Sequence, residues 1–292
     1  MAEPLLGTDR FKSAFVFSFD ETFTAGFENG KTKVVVNRDE MEEMGGRPFR
    51  QTFDPGMHIT VMICISAAGV LLRPFVILPL KSVPEDLEEF KVYMTIATNG
   101  GSGWINTRLL RQWTREILVP YITDLRRQFG KQMPALVLCD NHSTRADPTF
   151  LTMLHDNGIT LLTLPAHTSH ILQPPDLWFN GELKRLLGAK LSETPGSSIL
   201  TAAQRRRAIL IALRDSLSAM SVISPNASSF SRAGLVPWRP ESFLNHASVS
   251  KAKPETQKAP PGGRSDIRGQ VLTADPLYTQ LITADIKEDE DE

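Results

Sequence analysis

Apolar residues in this chain come in short dense runs separated by polar stretches rich in glycine and proline. Residues 14–20 read as a buried strand, and 33–36 (Lys-Val-Val-Val) as a short strand candidate. Residues 37–56 lack periodicity and read as a loop or insertion. Residues 58–66 form a strand, Ala67-Ala68-Gly69 a tight turn, and the run from Val70 to Leu78 the second arm of a hairpin. Pro74 demotes that arm towards an edge or a bulge. Residues 79–103 read as loop with a short helix. Thr107 can cap a helix from 108 to 129, whose apolar positions Leu109, Leu110, Trp113, Ile117, Leu118, Ile122, Leu125 and Phe129 keep helical spacing; Pro120 should kink or break it. Strand 135–139 comes next, then a helix capped by Asp147 with Pro148 in its first turn and ended by Gly158. Strand 159–164, a helix from Pro174–Pro175 towards Lys190, and a helix over 201–220 follow. Residues 247–270 read as a flexible linker. The natural packing of this order is an open mixed sheet with helices on its faces.

Composition adds bounds. The chain has 292 residues, 41% hydrophobic and 22% charged, which is ordinary for a globular protein. No apolar run reaches the roughly 20 residues that span a bilayer, so no membrane association is expected. The first ten residues do not read as a signal peptide. Cys64 and Cys139 lie inside apolar runs and read as buried reduced thiols, which fits an intracellular setting. Net charge is −1, but residues 285–292 carry six acids and one lysine, so the rest of the chain sums to −1 + 5 = +4. Modest basic surfaces fall in 104–131 and 182–207; a solvated helix face explains each about as well as a phosphate track.

Three acids close or follow the apolar runs: Asp20, Asp140 and Asp176. Carboxylates at strand ends of one sheet can converge, and converging carboxylates repel unless cations lie between them. Oxygen donors of this kind suit a hard divalent metal. For any one of them a turn or cap role is the plainer reading. Glu21 should point away from Asp20 along a continuing strand. Glu182 reads as solvated. His142, His167 and His170 with Cys139 match no common zinc spacing, and hydrogen bonds positioning the loops are the better reading for the histidines. Trp104 and Trp113 are expected in the core, and Arg205-Arg206-Arg207 on a solvated helix face.

Several motifs carry a resemblance: Asp20-Glu21-Thr22, His58-Ile59-Thr60-Val61, Gly103-Trp104-Ile105-Asn106, Leu138-Cys139-Asp140-Asn141-His142-Ser143 and Ala233-Gly234-Leu235-Val236-Pro237. The most specific is Leu164-Pro165-Ala166-His167-Thr168-Ser169-His170-Ile171-Leu172-Gln173-Pro174-Pro175-Asp176. Over about 14–245 the chain resembles DDE/DDD transposases, in particular the pogo/Tigger/jerky branch of the DDE superfamily endonucleases, related to centromere protein B. Pro175 departs from that pattern, which more often has Leu there. The resemblance implies an α/β, ribonuclease-H-like mixed sheet flanked by helices, and a metal-dependent DNA endonuclease and strand-transfer domain. It implies Asp20, Asp140 and Asp176 as catalytic residues and as ligands of two Mg²⁺ or Mn²⁺ ions, with Asp20 bridging both. It divides the chain into an N-terminal extension (1–13), a catalytic domain (14–245) and a linker with an acidic tail (246–292). Thirteen residues are too few for a three-helix DNA reader, so weak, sequence-independent DNA binding by this chain is expected. A homo-oligomer and a nuclear location are further expectations. The alternative is a domesticated, non-catalytic protein associated with nucleic acid or chromatin.

Overall fold

The structure, a computed structural model, describes residues 12–25, 58–130, 133–165, 167–192, 200–222, 225–244 and 271–272. The short strand candidate at 33–36, the loop at 37–56 and most of the linker and acidic tail lie outside the described residues.

One mixed sheet organises the fold, with strand order β4-β3-β2-β1-β5-β6-β7. The strands are β1 (Val16–Ala25), β2 (His58–Ser66), β3 (Phe75–Leu78), β4 (Thr95–Thr98), β5 (Ala135–Cys139), β6 (Ile159–Thr163) and β7 (Val271–Leu272). The first three form an antiparallel meander. Past β1 the sheet turns parallel, through β5 and β6. This is the ribonuclease-H-like arrangement: an antiparallel half joined to a parallel half at the central first strand. The segment 79–103 holds more order than its prolines suggest. Glu85–Val92 is a 3₁₀ segment, and Thr95–Thr98 pairs parallel to β3 as a further strand. A four-residue strand carries too little period-2 signal to stand out from a loop.

Strand alternation builds two cores. On one face Val16, Leu136, Leu138, Ile63 and Ile65 meet Leu183, Leu187, Leu213 and Phe230. These come from the helices α5 (Asn180–Ser192), α6 (Ala202–Val222) and α7 (Asn226–Arg232). On the other face Phe15, Phe17, Phe19, Met62 and Val137 meet Leu110, Trp113, Ile122 and Phe150. These come from α1 (Thr107–Trp113), α2 (Val119–Phe129) and α3 (Pro148–Asp156). A fully buried side chain of this size stabilises the fold by about 1.5–3 kcal/mol. The central strands are apolar on both faces because both are covered.

Two helix details differ from expectation. The cap of α1 is Asn106, whose Oδ1 accepts from the Leu109 N–H at 2.9 Å, rather than Thr107. Pro120 does not break the run: a π turn at Thr114–Leu118 precedes it and α2 continues to Phe129. Proline lacks the N–H of a regular turn, and a wider turn absorbs the missing bond. Pro175 is handled alike, by a π turn over Pro175–Phe179 that feeds α5. Between β6 and that turn lies α4 (Ser169–Leu172).

Candidate functional site

The acids meet at one end of the sheet, where β1 and β5 run parallel. Their register pairs Val16 with Leu136 and Ser18 with Leu138. Asp20 follows that pairing on β1 and Asp140 directly follows β5, close enough for its charge to act on Asp20. Asp176 arrives from the loop after β6. Buried Gln173 anchors that loop, its Nε2 reaching the Phe19 carbonyl on β1 at 3.4 Å, and the Asp176 N–H donates to the Gln173 carbonyl at 3.0 Å.

Asn180, 4% exposed at the start of α5, joins the two outer acids. Its Nδ2 donates to Asp20 Oδ2 at 2.7 Å and to Asp176 Oδ1 at 2.9 Å. The Asp20 carboxyl titrates well above the usual carboxylate range. Burial is the main cause, followed by the charges of Asp176, Glu21 and Asp140 and a hydrogen bond with Asp176. Asp140 and Asp176 are therefore both within electrostatic reach of Asp20.

Arg145 is the residue that sequence reasoning missed. It is 0% exposed, its guanidinium lies 4.7 Å above the Phe19 ring, and its Nη2 donates to Glu21 Oε2 at 2.5 Å. The same nitrogen lies 3.1 Å from Asp140 Oδ1 without hydrogen-bond geometry, so that oxygen is a buried acceptor with no hydrogen-bond partner. Burial by itself lowers the Arg145 pKa, but Glu21 and Asp140 together raise it above the ordinary arginine value. Glu21 does turn to the face opposite Asp20, as expected; what it finds there is this buried cation. A lone arginine in a polar loop gives no periodic signal of burial.

The remaining candidates sort simply. Among the described residues no three His, Cys, Asp or Glu stand in a ready-made ligating cluster. That includes the three aspartates: Asn180 lies between Asp20 and Asp176, and Arg145 faces Asp140. His142 caps the 3₁₀ turn Ser143–Ala146, with Nδ1 3.0 Å from Thr144 Oγ1, a loop-positioning role. Cys64 and Cys139 are buried thiols, their pKa values pushed up by desolvation. Glu182 receives two hydrogen bonds from Arg185, at 2.8 and 2.7 Å. Arg207 pairs with Glu89 and covers Phe90, docking the 3₁₀ segment on α6. Trp113 is buried as expected, but Trp104 is not: it is 58% exposed. It follows Gly103 in a turn that lays its ring over His58, outside either core.

Comparison with known proteins supplies the family context. The sequence profile of the DDE superfamily endonucleases matches residues 57–216, more than half of the chain; Asp140 and Asp176 fall inside this span and Asp20 precedes it. A curated relative, named MFS-type transporter clz9 of Cochliobolus lunatus, is 28% identical over 249 residues, which cover 80% of this chain. The match spans about a quarter (24%) of that relative's length. No helix among the described residues is long and apolar enough to cross a membrane. Similar solved structures include the Mos1 transposase paired-end complex with left transposon end, at 15% identity and a TM-score of 0.48, covering 86% of this chain and 60% of that one. The Mos1 transposase catalytic domain with Raltegravir and Mg is 14% identical with a TM-score of 0.42, covering 83% and 87%.

Proposed function

The chain belongs to the DDE superfamily endonuclease family, and from that premise we propose that it is the catalytic domain of a pogo/Tigger-like transposase, cutting DNA with divalent cations held by Asp20, Asp140 and Asp176. The observation that carries this reading is the gathering of acids around Asp20, joined to Asp176 through Asn180, with the Asp20 carboxyl pushed well above its usual range by burial and then by Asp176, Glu21 and Asp140. A fold that needed only stability would have little reason to gather mutually repelling acids. The donor set fits a hard cation: all carboxylate oxygen, with Asp140 Oδ1 buried and lacking a hydrogen-bond partner. Mg²⁺ or Mn²⁺ bound there would lower the pKa of an attacking water and neutralise charge on the leaving oxygen.

The chain's own residues do the positioning. Asp20 is fixed by the strand, Asp176 by Gln173 and the π turn, and Asn180 holds both carboxyls at a set separation with its amide. Arg145 takes the Glu21 charge and shares Asp140, so Asp20 and Asp176 are the acids without a cationic side chain beside them. DNA is the proposed substrate, bound weakly and without sequence preference by this chain, with self-association and a nuclear location as parts of the same proposal. The test is nicking of supercoiled plasmid with Mg²⁺, with Mn²⁺ and with EDTA. Metal-dependent nicking lost in Asp140→Asn supports the reading; no nicking and no calorimetric metal binding overturns it.

One observation favours the second reading, a domesticated DNA- or chromatin-associated protein without catalysis. The Arg145 guanidinium stands 3.1 Å from Asp140, where a cation would otherwise take that oxygen. Calorimetry separates the two, since the non-catalytic form would bind DNA but no divalent metal.

A further inference from the structure

Further along β1 from Asp20 stands a group of aromatic rings that the proposed chemistry does not use. The His58 ring stacks on Trp104 with centroids 3.9 Å apart and planes at 21°. Phe23 lies beside the same pair, its ring 5.3 Å from His58 at 30° and 6.5 Å from Trp104. Trp104 and Phe23 remain 58% and 46% exposed. Large apolar rings left in water, next to one another, mark an interaction surface more often than a packing accident.

The presentation of Trp104 is built. Gly103 has φ 67° and lies so close to β2 that a Cβ there would sit 2.0 Å from the His58 carbonyl oxygen. Only glycine permits that approach, which lays Trp104 over His58. The turn is pinned from inside. Asn99 Nδ2 donates to the Trp104 carbonyl at 2.6 Å and to Ser102 Oγ at 2.8 Å. Asn106 Nδ2 donates to Asn99 Oδ1 at 2.8 Å, while its Oδ1 caps α1. Three polar side chains and a glycine thus hold one exposed indole in place.

Location and charge point to the occupant. Phe23 follows Asp20 by three residues on β1, roughly 10 Å along a strand. Lys184, one helical turn past Asn180 on α5, sets its Nζ 5.5 Å from the Phe23 ring centroid. Open π-faces with a lysine beside them match single-stranded nucleic acid, whose bases stack and whose phosphates seek a cation. We propose that Trp104, backed by His58 and Phe23, is a stacking platform for an unpaired base of the DNA strand held at the carboxylate site, with Lys184 taking the adjoining phosphate. This rests on the DNA substrate proposed above. It adds that the substrate is locally unpaired beside the cleaved bond.

The experiment is fluorescence anisotropy at low salt with EDTA, on three labelled duplexes: blunt, with a one-thymidine bulge, and with an abasic bulge. The full chain should bind the thymidine bulge about tenfold more tightly than the other two. Trp104→Ala should bring all three to the blunt-duplex affinity, and Trp104→Phe should keep most of the preference. Equal affinity of the unaltered chain for thymidine and abasic bulges overturns the platform while leaving the proposed DNA substrate standing. So does a Trp104→Ala variant that keeps the preference, or one that loses blunt-duplex binding equally. Self-association through this patch, dissolved by Trp104→Ala without any base preference, also overturns it. Failure to bind any duplex removes the proposed substrate and the platform together.

Discussion

Asp147 and Asp20 are both acids largely withdrawn from water, one capping α3 and the other in the middle of β1, and they are treated in opposite ways. Asp147 receives the Arg111 guanidinium on both oxygens, with Nε at 2.7 Å from Oδ2, and caps α3 by accepting from the Phe150 N–H at 3.0 Å. The Arg111 hydrogen bond, then the Phe150 N–H and the Arg111 charge, hold its carboxyl below the usual range against a smaller desolvation cost. Asp20 has one amide donor and three acidic neighbours, and its carboxyl is pushed up. The first acid is part of what keeps the fold together. The second opposes the fold until something positive arrives. An aspartate is therefore not informative by position; its compensation is.

The comparison can be broken first at Arg145, where the two regimes meet. Arg145→Met leaves Glu21 buried without its cation and should cost about 3–5 kcal/mol of unfolding free energy in a urea titration. Adding Glu21→Gln should recover much of that loss. A single variant as stable as the parent would show that Glu21 needs no partner.

Asp20→Asn should cut metal-dependent nicking by more than about a hundredfold, if the acids hold cations as proposed. Without metal the same variant should be the more stable protein at neutral pH. A carboxyl whose folded pKa is raised contributes stability that is present below its unfolded value, near 3.9, and lost as pH rises through the folded value. The asparagine has no such loss. A metal-free melting temperature at pH 7 lower than the parent's would contradict this account of Asp20.

Mn²⁺ should raise the melting temperature of the parent by mass action on the folded state. Asp140→Asn should reduce that rise, and Asp147→Asn should leave it unchanged. Equal shifts in parent and Asp140→Asn remove Asp140 from the site.

The smallest effect is the cap. Asp147→Ala should cost about 1 kcal/mol at pH 7 and leave Mn²⁺ binding intact. Because the folded pKa of Asp147 is depressed, its contribution is present above the unfolded value near 3.9 and disappears as pH falls through the folded one. Parent and variant should therefore converge in acid, as read from melting curves between pH 7 and 2.

Much of the fold was legible because burial imposes a period. The dense apolar runs of 14–20, 58–66 and 135–139 and the helical spacing of 108–129 stand out from the polar stretches between them, so they can be counted. The three aspartates stood out through their motifs, and the loop from Pro165 to Asp176 through its own residues, but the strand-end reading fails for Asp20, since β1 runs on to Ala25, and for Asp176, which lies on the π turn past β6. What the sequence by itself determined is thus local: which segments are strands and helices, and which face each side chain takes. Only the tertiary structure decided how the acids are compensated. Arg145 meets Glu21 across 124 residues of chain, and Asn180 meets Asp20 across 160. Trp104 stays in water because Gly103 brings it onto His58, 46 residues earlier in the chain, and not onto a core. Electrostatic pairing and ring stacking depend on distances of a few ångströms between residues remote in sequence, and no periodicity records such distances.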